Sequence, residues 1–241
     1  MINMYKTSLG KKLVVALSGA VLLGFVCLHM AGNLKAFGGM DAATGLWKLD
    51  IYARMLREIA YQFVGHETVL ILTRIVLLFA VALHVSTIIL LKRQAWRARP
   101  QGYAVARFDK ATWASRFMFV GGCCMGLFIV LHILHLTTGH IHAQGFEEGK
   151  VYANITSAFS VWYITAAYVF FMAVLGLHVS HGLWSLTQTL GVSNAGLRAG
   201  ITLASRVVGI VLFVGFVSVP VAVYCGFLPV ADSSATIREV K

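Results

Sequence analysis

Five apolar stretches, at about 12–36, 67–91, 116–139, 160–188 and 203–228, are each long enough to cross a lipid bilayer, and they leave this chain little room for anything else. A hydrocarbon layer about 30 Å thick takes about 20 helical residues at 1.5 Å each. No water reaches its centre, so a spanning segment must bond its own amides, and a helix does that. Charged residues make up only 12% of the chain, roughly half the share usual in soluble domains. The sequence therefore predicts an all-α integral membrane bundle of five transmembrane helices, one domain over residues 1–241. Lys6, Lys11 and Lys12 precede the first stretch as they would precede a secretory leader. Its apolar run continues beyond Cys27 without a clean small-x-small cleavage pattern, so a retained helix is expected.

The net charge of +11 does not point to nucleic acid once it is sorted by side. One side receives Lys6, Lys11, Lys12, six basic residues between 92 and 110, Arg116, Arg198 and Arg206, against Asp109 alone. The other side holds eight basic and eight acidic residues and is neutral. The positive-inside rule makes the basic face cytoplasmic, with the N-terminus inside and the C-terminus outside. The expected location is the cell membrane, in multi-pass form. Cys27, Cys123, Cys124 and Cys225 lie within spans without a Cys-x-x-Cys pair, so they read as buried small residues rather than ligands of zinc or iron–sulfur.

Between the first two spans, Trp47, Ile51, Met55 and Ile59 recur every fourth residue, which predicts a short amphipathic helix on the outer surface. Pro100-Gln-Gly102 marks a turn in the inner connection, and Pro220 should kink the fifth span. His140 and His142 read as solvated loop residues. Trp47, Trp113, Trp162 and Trp184 read as anchors at the membrane interface.

Six of the nine histidines fall within spans: His29, His84, His132, His135, His178 and His181. An ionisable group inside a membrane is costly and needs a partner, yet almost no buried acid is at hand. Haem iron takes one imidazole on each side of its macrocycle, and facing helices can supply both. Depth sorts the histidines. His29 lies ~25 Å from the inner edge of span one and His132 ~24 Å from that of span three. His84 lies ~12 Å from the same edge, with His178 and His181 at ~18 Å and ~14 Å. Two layers result, an outer one from spans one and three and an inner one from spans two and four. Depth does not choose between His132 and His135, or between His178 and His181, because each couple is spaced i, i+3 on one helix face.

The runs His29-Met-Ala-Gly-Asn-Leu-Lys, Leu83-His84-Val, Leu131-His132-Ile and Leu177-His178-Val-Ser-His-Gly-Leu-Trp-Ser resemble the dihaem cytochrome b subunit of succinate:menaquinone oxidoreductases and fumarate reductases (complex II). The resemblance covers about residues 8 to 226. It implies two b haems, the outer ligated by His29 and His132 and the inner by His84 and His178. It also implies electron transfer between a soluble iron–sulfur subunit, joined to a flavoprotein on the cytoplasmic face, and menaquinone in the membrane. The flavin, the iron–sulfur clusters and the dicarboxylate chemistry of the tricarboxylic acid cycle would then belong to those partners. Some relatives carry a proton-moving glutamate two residues before the span-four histidine; here that position is Gly176. Glu58 and Glu67, at the outer edge, are the candidates for proton exchange with a quinone, and His135 and His181 stand near a haem or quinone. The other readings are a cytochrome b of a hydrogenase or formate dehydrogenase, against which the inward basic face speaks, and a histidine-lined transporter or channel, which would be colourless.

Overall fold

The computed structural model describes residues 5, 7–98, 113–142, 145–192, 194 and 196–231. Several features of the charge analysis lie outside the described residues: Lys6, Arg99, the Pro100–Gly102 turn, Arg107, Asp109, Lys110, Asp232, Arg238, Glu239 and Lys241. The same holds for the side chains of Trp113 and Arg116. Of the described residues 79% are helical and none forms a strand. The helices are α1 (Ser8–Asn33), α2 (Lys48–Glu58), α3 (Tyr61–Val64), α4 (Thr68–Arg97), α5 (Trp113–His132), α6 (Val151–Phe159), α7 (Trp162–Thr189) and α8 (Arg198–Tyr224). Five of them, α1, α4, α5 with the turn that continues it, α7 and α8, are long and apolar enough to cross a membrane. They coincide with the five stretches in the sequence, and the chain is a multi-pass membrane protein.

Local signals set the ends. Thr7 caps α1, its hydroxyl accepting from the Gly10 amide at 3.0 Å, which satisfies one of the orphan donors of a first turn. A 3-10 turn (Leu34–Gly38) extends α1, and a π turn (Ile133–Thr137) extends α5. Pro220 is buried within α8, which runs on through it. Leu28, Phe79, Leu203 and Ile210 face outward, as a lipid-covered surface requires. Cys27, Cys123 and Cys225 are exposed as well, so three of the four cysteines face away from the bundle rather than into it.

The close helix packings are α7 with α8, α1 with α4, α5 with α7, and α1 with α7 and α8. Glycines permit the tightest. A Cβ on Gly209 would stand 2.5 Å from the Gly176 carbonyl oxygen, and one on Gly176 would stand 2.8 Å from that of Gly209. Small residues let membrane helices approach this closely. At one end of the bundle α1 and α4 meet, with Lys11 Nζ donating to Gln94 Oε1 at 3.1 Å.

The other end carries a cap. Tyr152 on α6 is fully buried, stacks on Trp47 with ring centres 3.7 Å apart, and donates its hydroxyl to the Pro229 carbonyl at 3.1 Å. Leu49, Ala36, Phe159, Val219 and Leu228 close around it. Trp47 thus packs into protein rather than serving chiefly as a lipid anchor. On α2 the residue buried against the cap is Leu49, whereas Met55 and Ile59 of the four-residue line are exposed. The periodicity located the helix but marked its outward side.

Asp50 joins α2 to α6, accepting the Tyr152 amide on Oδ1 at 2.9 Å. It stands in for a side-chain cap that Lys150, before α6, does not supply. Burial pushes the Asp50 carboxyl above its usual value, while the Tyr152 and Val151 amides pull it down. A folded-state value above the unfolded one means a contribution that is full at low pH and lost as pH rises through the folded value. Asp50→Asn keeps an acceptor without the charge, so at neutral pH it should equal or exceed the wild type in stability. Asp50→Ala should cost about 1 kcal/mol. Thermal unfolding in detergent from about pH 4 to 8 reads both, and an Asn variant weaker than the Ala variant contradicts the capping role. At the helix crossing, Gly209→Leu should cost at least about 1–3 kcal/mol, whereas Gly200→Ala, which meets nothing within 4 Å, should be silent in the same assay.

Candidate functional site

The spanning histidines meet in twos. His29 on α1 and His132 at the end of α5 have ring centres 5.8 Å apart and planes at 82°. Phe25 stacks on His29 at 5.3 Å, Phe216 lies 5.9 Å from it, and Phe128 lies 5.6 Å from His132. The aromatic collar has a local origin, because Phe25 and Phe128 each stand four residues, one helical turn, before their histidine. Nearer the opposite end, His84 on α4 stands against Gly19 of α1, and His178 on α7 against Gly122 of α5.

Hydrogen bonding sets how each ring presents itself. Ser18 donates its hydroxyl to the Val14 carbonyl at 2.7 Å, so its oxygen is free to accept from His84 Nδ1, 3.2 Å away. His84 therefore carries its proton on Nδ1, and Nε2 keeps a lone pair. Gly19, the next residue of α1, makes the ring's approach possible: a Cβ there would sit 3.3 Å from His84 Cε1. Gly122 on α5 lies beside His178, whose Cε1 would be in ordinary contact, at 3.7 Å, with an added Cβ. His178 Nδ1 is buried without a hydrogen-bond partner. Such an atom costs about 1–3 kcal/mol unless something satisfies it.

Both twos bridge helices that do not pack together. Among the described residues neither α1 with α5 nor α4 with α7 is one of the close packings. His29 and His132 meet from helices that are not closely packed, and all four histidines are partly exposed. Two imidazoles sharing one metal ion through bonds of about 2 Å stand with ring centres about 6 Å apart, which the 5.8 Å of His29 and His132 fits. Among the described residues no three His, Cys, Asp or Glu side chains converge. The arrangement is one of paired ligands, which suits a metal whose remaining positions a macrocycle fills. His29 with His132 and His84 with His178 are the candidates to hold such a group.

The remaining candidates divide. His135 lies in the π turn, a feature that gathers at functional sites. It is 5% exposed, its Nδ1 is 3.0 Å from the Tyr168 hydroxyl, and its Nε2 has no partner. His181 packs beside Trp184 at 5.7 Å. Glu67 pairs with Arg57 at 3.1 Å, linking α2 to α4, and holds left-handed backbone at φ 59°. Glu58 lines a surface depression with Tyr61 and His66. These two carboxylates belong to the cap end and do not line either histidine couple.

Two contributors escaped the sequence reading. Tyr168, ten residues before His178, places its hydroxyl between His132 and His135, and only its being polar and mid-span could have flagged it. His142 is not a solvated loop residue: it stacks on His135 at 5.1 Å, and its Nε2 meets the Asn154 carbonyl at 3.0 Å. His140 does stand exposed, bonded to Thr138.

At position 176 the structure has room only for glycine. The backbone of α8 at Gly209 occupies the space that a side chain there would need. Gly176→Glu should therefore disrupt the α7–α8 contact rather than restore a proton path, read as loss of folded protein in detergent; a well-folded variant contradicts the packing described.

Compared with models of known protein families, with curated proteins and with solved structures, the chain matches none.

Proposed function

We propose that this chain is the dihaem cytochrome b membrane anchor of a succinate:menaquinone oxidoreductase or fumarate reductase. His29 and His132 would hold one b haem and His84 and His178 the other. The observation that carries the proposal is the meeting of His29 and His132 from helices that are not closely packed, with His84 beside Gly19 and His178 beside Gly122 at a second level of the bundle. The buried Nδ1 of His178 has no partner from the chain, and an ionisable group at such depth calls for a partner.

When bound, the haems supply one-electron transfer between a soluble iron–sulfur partner and a membrane quinone. The protein's own part is to hold, orient and shield. Ser18 fixes the His84 tautomer, and Gly19 and Gly122 leave room for the rings at that level. Phe25, Phe128 and Phe216 exclude water around the other couple, and low polarity around a redox centre raises the influence of every remaining charge.

The end of the bundle with Lys11, Lys12, Lys92, Arg93 and Arg97 would face the cytoplasm of a cell membrane by the positive-inside rule. Twelve of the twenty basic residues fall on that side by sequence, and the iron–sulfur and flavoprotein subunits would dock there. Lys92 already lies 5.6 Å from the ring centres of both Trp96 and Phe119, a cation held at an aromatic interface. The cap would face outward, with Glu58 and Glu67 available for proton exchange at a quinone headgroup.

The reading is tested by reduced-minus-oxidised spectra of the purified chain and four single replacements. His29→Ala and His132→Ala should erase one b-type component, and His84→Ala and His178→Ala the other. Loss of the same component from His29→Ala and His84→Ala overturns the pairing, and a wild-type protein without a b-type band overturns the function. His135→Ala and His181→Ala should retain both components.

A further inference from the structure

We infer that Tyr168 is a positioning residue that dictates which nitrogen of His132 faces His29; the inference rests on the haem reading above. The Tyr168 hydroxyl lies 3.0 Å from His135 Nδ1 and 3.5 Å from His132 Nδ1. A hydroxyl has one proton to donate, and when that proton goes to one of the two rings the contacts admit two arrangements. In one, Tyr168 donates to His132 Nδ1, which places the His132 proton on Nε2 and leaves that ring no lone pair for a metal. In the other, His132 Nδ1 donates to Tyr168, Tyr168 donates to His135 Nδ1, and His132 Nε2 is free. Only the second is compatible with ligation by His132.

His135 is the acceptor that selects it. The ring is 5% exposed and is stacked on His142, which the Asn154 carbonyl holds in turn. It stands in the π turn, and this places it one turn beyond His132 but on the same hydroxyl. Its Nε2 then carries a proton, buried and without a partner from the chain, open to an acceptor oxygen from outside it. The other level of the bundle uses the same device, with the Ser18 hydroxyl at His84 Nδ1. A hydroxyl that accepts from a ligand's distant nitrogen makes that ligand a stronger electron donor. Tyr168 therefore favours the oxidised form of the haem held by His29 and His132.

Redox titration of the purified full-length chain tests this with Tyr168→Phe, which keeps the ring packed between Phe128 and Phe159. One of the two haem components should rise in midpoint, with a reduced-to-oxidised ratio about fivefold higher at the wild-type midpoint, the scale of one hydrogen bond. The component lost in His84→Ala should not move. His135→Leu, which leaves the Tyr168 hydroxyl without its acceptor and so weakens its hold on the His132 proton, should raise the same midpoint, while His135→Gln, which offers an acceptor, should leave it close to the wild type. Two haems with both midpoints unmoved in Tyr168→Phe overturn the inference and leave the proposed function standing, as do equal shifts in both. A wild-type chain without haem overturns the two together.

Discussion

An imidazole held inside a membrane must be partnered, and that requirement organises this molecule. Water cannot solvate the ring nitrogens there, and acids to pair with them are lacking. The chain answers with hydroxyls on the nitrogens that face away, Ser18 for His84 and Tyr168 for His132, and with a second histidine across the bundle for each ring. Among the described residues no hydroxyl is bonded to His29 or His178, and the buried Nδ1 of His178 has no partner from the chain.

The helix packing follows from the same need. α7 and α8 close tightly at Gly176 and Gly209, and α1 lies along α4. The histidine-bearing helices α1 and α5, and α4 and α7, stay apart. Had they packed as closely as α7 and α8 do, no space would remain between the rings. The cap built from Asp50, Tyr152 and Trp47 ties the segments between spans to one end, and it holds in place the bundle ends on which His29 and His132 sit. Gly176 is part of this economy, because a close α7–α8 contact and a side chain at position 176 are mutually exclusive.

Much of this is legible in the sequence. Span length and hydropathy locate all five long helices to within a few residues, because a bilayer sets that length. Depth along a helix is linear in residue number, and so His29 is matched with His132 from spacing alone. It could not choose between residues three apart, since His132 and His135 share a face; the structure separates them by a π turn, which no periodic pattern announces. Contacts between distant segments were also beyond reach. Tyr168 touches His132 and His135 through the α5–α7 packing, and His142 turns inward because the Asn154 carbonyl is there to receive it. The α2 line of Trp47, Ile51, Met55 and Ile59 located a helix but not its packing, since Trp47 stacks in the cap while Met55 and Ile59 are exposed. The cysteines misled because a small apolar residue in a span suits either environment.

The central claim is that two couples of imidazoles each grip an iron porphyrin. Haem content per chain, by extraction and spectrophotometry of the purified protein against its molar concentration, tests it most directly. The account predicts a ratio of two haems to one polypeptide. A ratio of one would leave one couple without its ligand, and a colourless protein would contradict the account outright.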